Sequence, residues 1–374
     1  MPKVKNWQIG REMEYPYEDK RPKKQVAYVF DTNKCIACQT CSSACKTTWT
    51  SGPGQESMFW NNTETKPYGF YPKAWDVKLL KNLGEQTWEG DTYTGKTVFE
   101  EPPAGERIKG HLPAYEDYAN PNVGEDEVFG LIEKGAFFGS VHNAWMFYLT
   151  RICNHCTYPA CLAACPRKAI YKRDDGIVLV DQTRCRGYKE CVKACPYKKV
   201  FFNMVTRTSE KCIACYPLLE KGEQPRCVQT CIGKIRLMSW LSKPGEAKED
   251  NPLDYIVLIK KVALPLYPQS GTEPNVYYIP PVHVPREFLL QMFGPGVDEA
   301  IQTYKAVRSD PKLLAAFLLF GNTSKIITRF AYNEKEAIGF NEKGEEVVRV
   351  PFTEPFFERE MFDAKLQVYR HNTA

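Results

Sequence analysis

The sequence predicts an α+β chain built from two related modules, with a long insertion and a C-terminal extension. Three observations lead there. All 15 cysteines of the 374 residues fall into four tight groups. Short alternating apolar runs, "VAYVFD" (Val26 to Asp31) and "GIVLVD" (Gly176 to Asp181), lead into two of those groups as strands. "CLAACPRKAIY" and "CVKACPYKKV" place short helical turns among the cysteines, stopped by proline. Hydrophobic residues at 43% and charged ones at 25% are ordinary globular values, which excludes wholesale disorder. A net charge of +5 is too mild to argue for nucleic acid. No apolar stretch reaches the ~18–20 residues of a membrane span. The longest, Leu313 to Phe320, stops at Gly321, so no crossing is expected. Met1 to Gln25 is polar and interrupted by Pro2, Pro16 and Pro22, unlike a secretory signal. Export, if it occurs, is expected to depend on something else.

The cysteines themselves carry the chemistry. The first group, Cys35, Cys38, Cys41 and Cys45, reads C-x2-C-x2-C-x3-C. The second, Cys153, Cys156, Cys161 and Cys165, widens one gap to four residues. The third, Cys185, Cys191 and Cys195, keeps the first spacing with Tyr188 where a second cysteine would stand. The fourth, Cys212, Cys215, Cys227 and Cys231, opens its middle gap to eleven residues. Two-residue gaps let a loop wrap three thiolates round one corner of an iron–sulfur cubane, while the fourth cysteine reaches a different cluster. Zinc takes well-separated C-x2-C pairs with tetrahedral closure, which fits three crowded cysteines badly. Disulfide frameworks belong to short secreted chains with even counts. Three four-iron clusters and one three-iron cluster account for 4+4+4+3 cysteines. Tyr188 explains the deficit, because a phenol is a poor ligand beside thiolates. The alternative is that Tyr188 only packs and another ligand completes a four-iron cluster.

Residues near the groups were weighed likewise. His155 could suggest a Rieske-type ligand, but such centres use two histidines, so a hydrogen-bonding or partner-contact role is expected. Pro166 and Pro196 directly follow cysteines, as in bacterial ferredoxin runs. Lys34, Lys46, Arg167, Arg184, Arg186, Lys189, Lys193, Lys198, Lys199 and Lys211 crowd the same segments. They read either as a solvated face or as counter-charges to the negatively charged clusters.

The groups imply an internal repeat of two ferredoxin-like modules, each binding two clusters. Between them lies an insertion rich in Gly, Pro, Trp and Tyr, expected to fold back as a cover or docking surface rather than stay structureless. The segment after Cys231 is similar in style and reads equally as a partner-wrapping surface or a plain small domain. "GVDEAIQTYKAV" and "DPKLLAAFLLF" look like ordinary amphipathic helices. No phosphate loop, nucleophile elbow or zinc-protease helix appears, so no catalytic residue is expected.

These residues resemble the electron-transfer (beta) subunits of complex iron–sulfur molybdoenzymes, the family of respiratory nitrate reductase, nitrite oxidoreductase and the perchlorate, chlorate, selenate and ethylbenzene-type enzymes. The cluster motifs and "CRGYKECVKACPYKK" carry the resemblance, and it covers nearly the whole chain. "GQESMFWNNTETKPYGFYP", "RICNHCTYPACLAACPRKAIYKR" and "VALPLYPQSGTEPNVYYIPP" look most like the nitrite oxidoreductase subunit. The resemblance implies four cofactor sites. Cys35, Cys38, Cys41 and Cys231 would hold a [4Fe-4S] cluster nearest a molybdenum bis-MGD catalytic subunit. Cys45, Cys212, Cys215 and Cys227 would hold the next, and Cys153, Cys156, Cys161 and Cys195 the third. Cys165, Cys185 and Cys191 would hold a [3Fe-4S] cluster, with Tyr188 at the vacant position, facing a haem-b (gamma) subunit. The implied organisation is a docking arm over 1–25, one module over 26–50 plus 206–240, the insertion over 51–144, the second module over 145–205, and a partner-wrapping extension over 241–374. The chain would not be an enzyme by itself but a relay in nitrite oxidation or nitrate reduction. It would touch the membrane only through partners, on the extracytoplasmic side by co-export with the catalytic subunit, or else on the cytoplasmic face. A free polyferredoxin is the rival reading, but such carriers are short and acidic. A radical enzyme is disfavoured, since Lys168 and Lys198 stand where its third cysteine would follow C-x3-C.

Overall fold

The computed structural model describes residues 2–118, 145–353 and 362–368. The rest of the 51–144 insertion and of the C-terminal extension lies outside the described residues. At the centre is a four-stranded sheet in the spatial order Arg236–Leu241, Gln25–Asp31, Val276–Ile279, Leu264–Pro265. The Gln25–Asp31 strand is buried along its whole length, as its unbroken apolar run requires of a strand covered on both faces. It pairs antiparallel with Arg236–Leu241, placing Tyr28 opposite Met238, and parallel with Val276–Ile279.

Strand periodicity then divides the core. Val26, Tyr28, Phe30, Met238, Val276 and Tyr278 point to the side that carries most of the cysteines. Ala27, Val29, Leu237, Leu241, Tyr277 and Ile279 point the other way, onto Leu313, Ala316 and Phe317 of the Pro311–Leu318 helix. That helix starts with Asp310 accepting a hydrogen bond from the Leu313 amide, an N-cap followed by proline at the first helical position. The chain after Cys231 therefore supplies three strands of the central sheet and the second face of the core. It is built into the fold, besides whatever surface it presents outward. Nothing local announces this, because Val276–Ile279 pairs with a strand some 250 residues earlier.

The second and third cysteine groups are short repeats of helix, Cys-Pro and hairpin. Helices Ala160–Ala164 and Glu190–Ala194 end at Cys165 and Cys195. Each is followed by a hairpin: Ile170–Lys172 with Val178–Val180, and Val200–Asn203 with Thr208–Lys211. Five-residue helices are unstable alone, so these are held by packing.

The insertion returns to the body through a strand pair, Asn62–Lys66 with Phe147–Arg151. Its sequence, NTETK, looks like an exposed strand, yet Glu64 and Lys66 are buried. Arg151 donates to Glu64 from Nε (2.8 Å) and Nη2, and to the Tyr197 carbonyl from Nη1. Lys66 Nζ lies 2.7 Å from Asp76 and 3.2 Å from Glu64, and Trp75 Nε1 donates to Glu64 at 3.1 Å. Arg151 also lies flat over the Trp75 ring, 3.9 Å from its centre. Burial alone would raise the Glu64 carboxyl, but Arg151 and Lys66 outweigh it and hold it at about 2.

Breaking one member of such a network strands the others' charge. Glu64→Gln is expected to cost about 3–5 kcal/mol, read as a lower thermal midpoint of the cluster-loaded protein. Because the folded-state value is depressed, the carboxylate's contribution is complete above about pH 4.3 and is lost as pH falls towards 2. The variant should therefore lose stability less steeply than wild type across that window.

Candidate iron–sulfur sites

Three small cavities lie on the cysteine-bearing side of the central sheet, and each is lined by four cysteines. The first brings together Cys35, Cys38, Cys41 and Cys231 around about 320 Å³ of space free of protein atoms. The second, of about 330 Å³, brings together Cys45, Cys212, Cys215 and Cys227. The third, of about 350 Å³, brings together Cys153, Cys156, Cys161 and Cys195. Cys165, Cys185 and Cys191 form a fourth cluster of thiols. Cys191 is pushed up to about 12 by burial, and the charges of Cys165 and Cys185 act on it in the same direction. Tyr188 beside them is 62% exposed.

The backbone repeats at these sites more strictly than the sequence does. The residue before the second cysteine position is left-handed in every group: Ala37 (φ 52°), His155 (42°), Gly187 (69°) and Ala214 (54°). Gln39 and Lys189, which follow Cys38 and Tyr188, are left-handed too, at 59° and 62°, and each precedes a helix. Tyr188 thus occupies the backbone position of Cys38. Lys168, Lys198 and Lys234, three residues after Cys165, Cys195 and Cys231, share φ near 50°, each donating its amide to that cysteine's carbonyl. A residue with a β-carbon costs roughly 1–2 kcal/mol in this conformation. Its recurrence at equivalent places marks a shape the loops must take around something.

The donor chemistry fits iron–sulfur clusters. Among the described residues, no three His, Cys, Asp or Glu side chains converge closely enough to hold a single metal ion, as a tetrahedral zinc site with ~2.3 Å bonds would require. The thiols instead line three separate cavities, four to each. Burial raises most of them, Cys45 to about 12, and neighbouring Cys215 adds to the effect. A cationic iron core would relieve that penalty. Each cavity also has a buried donor without a protein acceptor on its wall: Arg236 Nε and Nη1 at the first, Trp60 Nε1 at the second, His155 Nε2 at the third. His155 Nδ1 accepts the Val178 amide at 3.1 Å, which leaves the ring proton on Nε2. Unpaired buried donors are rare in proteins, and cluster sulfur is an acceptor these three could share. Other donors already reach sulfur: Trp49 Nε1 to Cys215 at 3.2 Å, the Ala169 amide to Cys165 at 3.3 Å, and the Ser209 amide to Cys185 at 3.4 Å.

The four sites neighbour one another in succession. Cys227 feels Cys215 and Cys45 of its own cavity and Cys41 of the first. Cys212 feels Cys45 and Cys215 of its own cavity and Cys153 of the third. The third and fourth sites share the paired short helices, since Cys161 and Cys195 face one site, Cys165 and Cys191 the other. At one end Cys38 is exposed, flanked by Ile36 and Ile232 at 65% and 66% exposure. At the other end Tyr188 is exposed, and the exposed Met204 and Val205 line a surface pocket with Lys189.

The basic residues divide into two kinds. Lys198, Lys199 and Lys211 are buried, whereas Lys34 and Arg184 are largely exposed. Burial would lower Lys211, but the sulfurs of Cys153, Cys161 and Cys212 outweigh it and raise it, between the second and third cavities. Arg236, fully buried, was not among the cations singled out from the sequence. Its signal was a lone charge at the start of an apolar strand, RLMSWL, five residues after Cys231.

Residues 144–240 match the family of 4Fe-4S dicluster domains. The chain is similar to the selenate reductase subunit beta of Thauera selenatis, 44% identical over 75% of this chain and 90% of the relative. It is 46% identical to the chlorate reductase subunit beta of Ideonella dechloratans over the same shares. It is 40% identical to the respiratory nitrate reductase subunit beta of Haloferax mediterranei, over 76% of this chain and 86% of that one.

His155 provides a check on the third site's scaffold. His155→Leu orphans the Val178 amide and should destabilise the protein by about 1–3 kcal/mol. Hydrogen exchange should quicken at Val178 in the 170–180 hairpin and stay unchanged in the Pro311–Leu318 helix.

Proposed function

Because this chain belongs to the family of iron–sulfur beta subunits of molybdoenzyme complexes, we propose that it relays single electrons through four clusters. They run from a molybdenum bis-MGD catalytic subunit at the Cys38 end to a haem-b subunit at the Tyr188 end, or in reverse. The observation that carries this reading is the succession of neighbouring cysteine sets, three of them each lining its own cavity. Bound clusters supply one-electron redox chemistry, and the chain's residues supply ligands, insulation and counter-charge. The proposed complement is [4Fe-4S] at the first three sites and [3Fe-4S] at Cys165, Cys185 and Cys191. Tyr188 in the backbone position of Cys38 supports the missing iron.

Nitrite oxidation or nitrate reduction is the proposed chemistry of the complex, resting on "GQESMFWNNTETKPYGFYP" and the segments like it. A second reading, chlorate or selenate reduction, is favoured by the 46% and 44% identities to subunits named for those substrates. No helix among the described residues is long and apolar enough to cross a membrane. We place the complex at a membrane through its partners, on the extracytoplasmic side by co-export with the catalytic subunit. Native pull-down, with assay of nitrite, nitrate, chlorate and selenate, separates these readings. Recovery of the chain alone would contradict an obligate partner.

Anaerobically purified protein should contain about fifteen irons per chain, the sum of three four-iron clusters and one three-iron cluster. About four metals per chain, mostly zinc, would overturn the cluster reading. Tyr188→Cys should convert the three-iron cluster into a four-iron one and lower its potential, because an added thiolate charge disfavours reduction. Electron paramagnetic resonance of the oxidised protein should show a three-iron signal in wild type and its loss in the variant.

A further inference from the structure

Arg236 is a guanidinium with no exposure to solvent and no carboxylate beside it among the described residues. Its Nη2 donates to Cys41 Sγ at 2.9 Å and lies 3.5 Å from Asn61 Oδ1. Its Nε and Nη1 have no protein acceptor. The plane stacks on Phe30, directly opposite in the sheet, 4.4 Å from the ring centre. Asn61 is oriented in turn by donating to the Cys41 carbonyl at 3.0 Å. Arg236 lines the first cavity and Asn61 the second, so this pair sits where the two adjoin.

An isolated buried charge is too costly to persist unless it is neutralised or paired. Arginine does not neutralise. Glu64, by contrast, balances the buried Arg151 and Lys66. The charges acting on Arg236 are those of Cys41, Cys227, Cys231 and Cys35, three from the first cavity and one from the second. Its counter-ion is therefore cluster thiolate.

We propose that Arg236 is the fixed counter-charge of the first cluster and is shared, more weakly, with the second, so that it raises the potential of both and separates them. The inference rests on the four-cluster reading. The attraction is reciprocal: whatever negative charge stabilises the guanidinium is stabilised by it, including an added electron. Arg236 lines the first cavity and donates to Cys41 there, so the first potential rises more. The potential at the end nearest the exposed Cys38 is thereby raised relative to its neighbour by a residue that is not a ligand. Arg236 is a positioning residue acting through electrostatics, and its orientation depends on Phe30 and Asn61.

The test is a redox titration, followed by electron paramagnetic resonance, of the whole anaerobically purified complex carrying wild-type chain, Arg236→Met or Arg236→Lys. In Arg236→Met the first cluster should become at least tenfold harder to reduce, about 59 mV for one electron. The second should shift less, and the third and fourth should stay unchanged. Arg236→Lys, which keeps the charge, should recover most of the shift. An unchanged first cluster in Arg236→Met, or an equal shift of all four, would overturn the proposal. Should Arg236→Met fail to assemble, wild-type complex labelled with 15N-arginine provides the second measurement. Its reduced first cluster should show hyperfine coupling to guanidinium nitrogen, and absence of that coupling would overturn the proposal. A wild-type chain with no reducible cluster at Cys35, Cys38, Cys41 and Cys231 would instead sink the four-cluster reading itself.

Discussion

Fifteen thiols gathered in a protein interior pose one electrostatic problem, and much of the structure answers it. Thiolates and the clusters they hold are negatively charged, and burial penalises that charge unless positive charge or hydrogen-bond donors meet it. Iron is the largest of these answers. The remainder come from the fold: Arg236 at the first cavity, Lys211 between the second and third, and indole, imidazole and amide donors on the cavity walls. The central sheet keeps the two kinds of buried surface apart. Its cysteine-side residues include Tyr28, Phe30, Met238 and Tyr278, and its far side, mostly aliphatic with Tyr277 among it, packs on the Pro311–Leu318 helix.

The loops solve a second part of the problem. To point several sulfurs at one centre within a few residues, the backbone must turn left-handed at Ala37, His155 and Ala214 despite their side chains. Gly187 takes the same conformation freely, in the group whose cysteine is replaced by Tyr188. The loop geometry is thus the same where Tyr188 stands in place of a cysteine.

Much of the site was legible because cysteine spacing encodes local loop geometry directly. The strands near 26–31 and 176–181 and the helices in 297–305 and 311–318 were legible for a similar reason, since each is written in local periodicity. What was hidden depends on distant partners. The parallel pairing of Val276–Ile279 with Gln25–Asp31 has no local signature. NTETK looks like a solvated strand until Arg151, Trp75 and Asp76 arrive from elsewhere to bury its charges. Arg236 was hidden because its burial and its contact with Cys41, 195 residues away, come from strand pairing rather than from any local pattern. Lys34 and Arg184 belong to the same crowded basic segments as the buried lysines, and only the fold shows them largely in water.

The central claim is that four iron–sulfur clusters occupy the successive sites defined by these cysteine sets. Anomalous scattering from crystals of the anaerobically purified complex, collected on either side of the iron absorption edge, tests it most directly. The account predicts four iron peaks in this chain. Three should be centred in the cavities of Cys35/Cys231, Cys45/Cys227 and Cys153/Cys195, and the fourth, weaker by one iron, among Cys165, Cys185 and Cys191. Fewer peaks, peaks away from these cysteines, or a signal at the zinc edge in their place would contradict it.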